Sequence, residues 1–159
     1  MANVTPKQVF GTAQTVIDTA VDIAANNFSG APAATFDNTT DAAVPYARFA
    51  KAMLEAPDWA AAPTAGATVE LWGVLKDVDG TDDDTDAPSG SAQGGARPFG
   101  SWVIAAANAL QRRTITISLL GCEKVDFYIK NGTAQNMNND GGTNCVVKIT
   151  PVETVGVIA

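Results

Sequence analysis

The sequence predicts a mainly β protein, an antiparallel β-sandwich or jelly roll of about seven to eight strands, with a short N-terminal helix or arm. Three observations predict it. Short stretches rich in Val, Ile, Thr and Trp alternate apolar with polar residues, the period of a half-buried strand. Clusters of Gly, Pro, Asn and Asp separate these stretches at sandwich-like intervals. Helical spacing is confined to the beginning of the chain. The 159 residues suffice for one domain with a true core. They divide into 1–27, an N-terminal arm, helix or first strand, and 28–159, a β-sandwich domain with a flexible acidic loop at 79–96.

Thr5-Pro6-Lys7-Gln8 has the form of a helix start, with Thr5 as cap, Pro6 at the first helical position and Gln8 as capping-box partner. Val9, Ala13, Val16, Ile17, Ala20, Val21 and Ala24 then recur at helical spacing, and Asn26-Asn27 can end the helix. The β-branched residues of Thr15–Ile23 also allow a short helix followed by a strand.

The remaining elements follow in order. Ser29–Pro32 is a loop, Ala34–Asp37 a short strand and Asn38–Asp41 a turn. Pro45–Glu55 reads as a strand or a short helix, because its alternation is imperfect. Ala56–Gly66, with two prolines, is a connection. Ala67–Val78 is the clearest strand, with Val69, Leu71, Gly73 and Leu75 on one face and Thr68, Glu70, Trp72, Val74 and Lys76 on the other. Asp79–Ala96 contains no buried-type residue larger than Ala and reads as an exposed loop. Strands resume at Arg97–Ala106, at Arg113–Leu119 with Ile115, Ile117 and Leu119 inward, and at Val125–Lys130. Asn131-Gly132-Thr133 is a hairpin-type signal. Asn136–Asn144 is a polar loop, Cys145–Val152 the last firm strand, and Glu153–Ala159 an edge strand or an arm.

Charge and composition narrow the function. Ten basic and seventeen acidic residues give a net charge of −7, which opposes binding to phosphate backbones and anionic membranes. The one adjacent basic pair is Arg112-Arg113. Charged residues are only 17% of the chain, so the surface is cheap to desolvate and suits packing against neighbours. No run approaches the ~18 apolar residues of a membrane-spanning helix, and the start lacks the pattern of a signal peptide.

No histidine is present, which removes the commonest general base. Carboxylate-only chemistry would need two acids held in fixed geometry, whereas the acids concentrate in the loop. An enzyme is not expected, and no catalytic residue, cofactor or metal site is assigned. Asp77, Asp79, Asp82, Asp83, Asp84 and Asp86 invite a calcium reading. However, the turn glycine, Gly80, is the fourth residue from Asp77, and Pro88 stands where an EF-hand needs Glu. A solvated acidic loop is the simpler reading.

Gly94-Gly95-Ala96-Arg97 lacks the strand-loop-helix context of a phosphate-binding loop. Asn3, Asn27, Asn38 and Asn131 begin Asn-x-Ser/Thr triplets, which arise easily in a chain rich in Asn and Thr. Cys122 and Cys145 read as two buried thiols, with a cross-strand disulfide as the alternative. Trp59, Trp72, Trp102, Tyr46 and Tyr128 could form a sugar-stacking platform or pack in the core. Trp72, sharing the parity of Glu70 and Lys76, is the candidate for an outward subunit or glycan contact.

The segment PTAGATVELWGVLKDVDGTDDD (63–84), Gln111-Arg112-Arg113, and the closing VDFYIKNGTAQ and VVKITPV resemble a family of small tailed-bacteriophage virion structural proteins. The likeness spans roughly Phe36 to Val152, and the chain departs from it in the first 27 residues and in the longer Asp/Gly/Ser loop. The resemblance implies a β-sandwich on the virion, assembled in the host cytoplasm. The expected role is a capsid decoration (cement) protein bound to the major capsid protein, as a homo-oligomer with a trimer as first expectation. A tail, neck or fibre-base component and a glycan-binding module for host attachment are the alternatives.

Overall fold

A computed structural model of the chain describes residues 4–76, 86–137 and 143–158. The described residues are all-β, with nine strands among them: β1 (Val4–Phe10), β2 (Gln14–Thr19), β3 (Phe36–Asp37), β4 (Phe49–Ala56), β5 (Thr68–Lys76), β6 (Arg97–Val103), β7 (Gln111–Ser118), β8 (Lys124–Asn131) and β9 (Cys145–Ile158). They form two antiparallel sheets. The five-stranded sheet runs β1-β9-β4-β7, with β2 also paired to β9, and the four-stranded sheet runs β3-β8-β5-β6. The mainly β, sandwich-like fold read from the sequence is the one observed.

The core lies between the sheets and follows from strand parity. In β4, Ala50, Ala52, Leu54 and Ala56 are buried while the residues between them are more open. Val147 and Ile149 of β9 share this inner face. Opposite them stand Val69 and Leu71 of β5 and Val125, Phe127 and Ile129 of β8, all fully buried. Trp102 is also buried, and its indole N–H donates to the Ala52 carbonyl across the sandwich at 3.1 Å. That bond satisfies the one polar atom its burial would otherwise orphan.

The N-terminal residues are strands, not a helix. Residues 4–10 pair with 152–158 of β9, from Val4↔Ile158 to Phe10↔Val152. The β2 ladder runs from Gln14↔Ile149 to Thr19↔Cys145, with a register shift between Thr15 and Ile17. The shift turns two adjacent residues, Val16 and Ile17, into the core. One extra residue in a strand breaks the period of two, and the resulting apolar spacing imitates a helix. Pro6 is tolerated because β1 is an edge strand.

One open alternative closes and two other expectations change. Phe49–Ala56 is a strand, so the helix alternative for Pro45–Glu55 is not realised. Asn131-Gly132-Thr133 makes no hairpin, because β8 and β9 belong to different sheets. The Asn131 amide instead donates to the carbonyls of Ile23 (3.0 Å), Ala24 (3.3 Å) and Gln135 (2.8 Å), and its oxygen accepts from Thr133 N (3.1 Å) and Oγ1 (2.8 Å). Finally, the described end of the 79–96 loop is not wholly exposed. Pro88 and Ala96 are buried, and Phe28 N donates to Gly90 O at 2.7 Å.

Gly73 shows how closely the core is filled. A Cβ there would lie 2.6 Å from Val125 Cγ1 and 2.7 Å from Phe99 Cε2. Phe99 in turn stacks edge-on against Phe127 at 5.0 Å. Gly73→Val is expected to destabilise the fold by about 1–3 kcal/mol in urea unfolding, and wild-type stability would contradict this packing. Asn131→Ala strips hydrogen bonds from three carbonyls and is expected to cost at least about 2 kcal/mol in the same measurement. A loss below about 0.5 kcal/mol would show that the network does not hold the β8 end in place.

Candidate functional site

The residues singled out from the sequence do not converge on one site. Asp77, Asp79, Asp82, Asp83 and Asp84 lie outside the described residues, and Asp86 is exposed. Among the described residues no cluster of three or more acidic, Cys or His side chains could hold a metal ion. Trp59 and Trp102 are buried in the main core and Tyr128 in a second cluster, so the five aromatics form no common exposed platform.

Trp72 does lie on the outer face of the four-stranded sheet, but it is half-buried against a second small cluster of Phe28, Val74, Ala96 and Tyr128. Its ring meets Phe28 edge-on at 5.6 Å, and its N–H donates to Glu70 Oε2 at 2.9 Å. This is the partial burial that competed with an outward contact. Cys122 and Cys145 are free buried thiols, and burial pushes the Cys145 thiol up to about 12. Asn38 and Asn131, both buried, are structural. The Asn38 amide donates to Ala47 O and Cys122 O, each at 3.0 Å. Asn3 lies outside the described residues.

What the fold does assemble is an exposed apolar end. The β4 strand stops at Phe49, opposite Val152. Beyond that row the six residues 153–158 of β9 pair with β1 alone, so a two-stranded ribbon extends from the sandwich. Consecutive residues on it, Thr5 to Gln8 and Thr154 to Gly156, are exposed, which leaves both faces of the ribbon open. Two-stranded ribbons without a covered face are marginal in water.

At the foot of the ribbon the register sets Phe10, Val152 and Phe49 in one row on the outer face. Val152 is 5% exposed between Phe10 at 52% and Phe49 at 43%. Nearby, Tyr46 and Leu120 border a shallow groove with Arg48, and both are about 60% exposed. Five of the eight large apolar side chains left exposed among the described residues, Phe10, Tyr46, Phe49, Leu120 and Val155, are at this end. Patches of this kind on a folded chain mark contact surfaces.

Two carboxylates fasten the ribbon's root. Glu153 Oε1 accepts from Arg48 Nη2 at 2.6 Å, and its Oε2 accepts from Arg48 N at 3.0 Å. These bonds hold the Glu153 carboxyl down at about 2. Asp41 accepts from Thr12 N through Oδ2, and from Ala43 N (2.8 Å) and Val44 N (3.0 Å) through Oδ1. The Thr12 bond foremost lowers its pKa, against the burial that raises it. Asp41 thereby clamps the β1–β2 turn, where a Cβ on Gly11 would lie 2.6 Å from its Oδ2. Sequence reasoning missed both clamps. The Asp41-Ala42-Ala43 spacing of a side-chain turn was the available signal for one of them.

Much of the rest of the five-stranded sheet's outer face is polar, with matched pairs. Arg112 Nε donates to Glu55 Oε2 at 2.8 Å, and Lys51 Nζ donates to Thr116 Oγ1 at 2.8 Å. Arg113 Nε donates to Val103 O at 3.2 Å, so the basic pair serves the fold. Among the described residues no helix is long and apolar enough to cross a membrane. Compared with protein-family models, curated proteins and solved structures, the chain matches none.

The clamps make a pH prediction. Asp41, Glu55 and Glu153 all have pKa values below their ordinary ones in the fold. Their stabilisation is therefore complete above the unfolded carboxylate range, near pH 4 to 4.5, and is lost as pH falls through the folded values, toward about 2 for Glu153. Thermal melts should show Tm falling below about pH 4, with a shallower fall in Asp41→Asn. Identical slopes in the variant and the wild type would contradict the Asp41 clamp.

Proposed function

We propose that this chain is a structural component of a bacteriophage virion, a capsid decoration protein that binds and stabilises the major capsid shell. The observation that carries an assembly role is the ribbon with its apolar foot, a marginal element on an otherwise well-packed sandwich. An element whose faces are open gains most of its order from a neighbour. The bacteriophage assignment is supported by the resemblance of 63–84, Gln111–Arg113 and the β8 and β9 segments to tailed-phage virion proteins. The low charged fraction, 17%, supports a surface that desolvates readily.

The partner on this reading is the major capsid protein, with homo-oligomer formation, a trimer first, at repeated sites on the shell. The net charge of −7 speaks against a nucleic-acid partner. A structural role is favoured over an enzymatic one, since two carboxylates at the assembled end, Asp41 and Glu153, are engaged in clamps. The glycan-binding alternative loses its main support, because the Trp72 ring packs against Phe28.

Copy number in purified particles tests the proposal. A decoration protein is expected in many copies distributed over the shell, and particles lacking it should lose resistance to heat. A few copies at one vertex would make it a tail, neck or fibre-base protein. Absence from purified particles would overturn the virion assignment altogether.

A further inference from the structure

We infer that the ribbon receives an extended strand of the capsid protein along the open edge of β9, beside Thr154 and Gly156. This inference rests on the decoration reading and adds to it the mode of contact, strand addition to a sheet edge.

Successive residues of a strand turn their backbone N–H and C=O to opposite sides. In β9 the carbonyl of Pro151 accepts from Gly11 N at 2.9 Å, so residue 151 faces the β1 side. Parity then turns 153 and 155 toward β1, and Val152, Thr154 and Gly156 the other way. Val152 meets Phe49 there, the first residue of β4. Among the described residues Thr154 and Gly156 meet no strand on that side. Thr154 N donates to Glu153 Oε1 at 3.1 Å, an exposed bond to the side chain of its own neighbour. Among the described residues no loop makes a backbone hydrogen bond to either residue.

The chain's own continuation of β4 is steered off this edge. Phe49↔Val152 and Ala50↔Pro151 set a register in which Ala47 would lie opposite Thr154, and Pro45 opposite Gly156. Tyr46 instead takes a left-handed φ of 53°, and its N–H donates to Asn38 O at 2.7 Å. Asp41 holds Ala43 N and Val44 N. These bonds direct 43–46 elsewhere, and Pro45 has no N–H to give the edge.

The two edges of the ribbon differ. Pro6 pairs with Gly156, and Gln8 with Thr154. Directly opposed residues of antiparallel strands turn their backbone groups either toward each other or both away. Gly156 faces away from β1, so the nitrogen of Pro6 faces away from β9, on the outer edge of β1. The missing donor guards that edge against strand addition. The β9 edge has no such guard at Gly156.

Backbone donors and acceptors that recur every second residue, about 6.8 Å apart, are matched by an extended polypeptide. Register also constrains its side chains. A residue opposite Thr154 falls in line with the exposed Phe49 on the outer face, so an apolar group there extends the row of Phe10, Val152 and Phe49. A residue opposite Gly156 meets no side chain across the pair.

Binding to empty shells of the major capsid protein, purified without this chain, tests the contact with prolines on the two edges. Gly156→Pro removes the donor on the open edge and leaves the β1 ladder its bonds. It is expected to weaken shell binding at least about tenfold. Gln8→Pro removes the matching donor from the outer edge of β1 and is expected to bind within about twofold of the wild type. Circular dichroism and thermal melts check that both variants fold. Thr154→Pro stands in for Gly156→Pro, and Pro6→Ala for Gln8→Pro, where one does not.

Undiminished binding by Gly156→Pro or Thr154→Pro would overturn strand addition while leaving the decoration role standing. Equal weakening by Gln8→Pro would also overturn it, because the contact would then not distinguish the two edges. Dimers of the free chain that Gly156→Pro abolishes would put a second copy on the edge and overturn the capsid strand as its occupant. Shells that do not bind the wild type would sink the decoration role, and the capsid strand with it.

Discussion

The structure depends on one long strand. Among the described residues, the fourteen of β9 are the only ladder that β1 and β2 have, and β9 also carries β4 along its other edge. From residue 145 to 149 β9 has β2 on one side, and from 146 to 152 it has β4 on the other. Its inward residues Cys145, Val147 and Ile149 lie fully buried under the opposite sheet. A one-residue slip would send these groups to the outer face and bring Val146 and Lys148 inward. The buried parity of this strand therefore sets the register of the five-stranded sheet.

The same strand creates the exposed ribbon, because it outlasts its neighbour. Past Val152 the β4 edge is absent, and the chain continues with β1 as its only partner. The ladder there runs along one side only, and the side chains of Thr154 to Gly156 are exposed. The fold compensates at the root rather than along the length. Arg48 and Glu153 tie β9 to the β4 start, and Asp41 ties the β1–β2 turn to the 41–44 loop. Both ties use carboxylates accepting backbone and guanidinium N–H groups, the stronger class of hydrogen bond. A firm root with an uncovered extension is what docking needs, since the contact then orders few residues and loses little entropy.

The alternating strands were legible because their side-chain period survives in the sequence. Ala67–Val78 and Arg113–Leu119 declared both their existence and their inward faces, and Thr68–Lys76 and Gln111–Ser118 form there. The leader was not legible in the same way. The irregularity that turns Val16 and Ile17 inward together replaces a period of two by a spacing that reads as helical. Long-range pairing also hides from local reading. Cys145–Val152 and the tail appeared as two elements, because only the β1 ladder shows that the strand runs on to residue 158. At Asn131 the turn chemistry was visible, but the side chain uses it to hold Ile23, Ala24 and Gln135 rather than to reverse the chain. The parity of Trp72 was read correctly, while its cover by Phe28 depends on a segment 44 positions away in the sequence. The apolar end escaped sequence reading altogether. Phe10, the Tyr46–Phe49 pair and Leu120 are far apart in the chain, and ordinary apolar residues announce exposure only once register places them.

Hydrogen exchange along β9 tests most directly whether the ribbon is the docking element. In the dilute chain the amides of 146–149, flanked by β2 and β4, should exchange slowly, and those of 153–158 should exchange fast. In assembled particles the 153–158 amides should slow at least about tenfold, while 146–149 change little. Equal exchange of 153–158 in the dilute and assembled states would contradict the assignment of the ribbon as the contact.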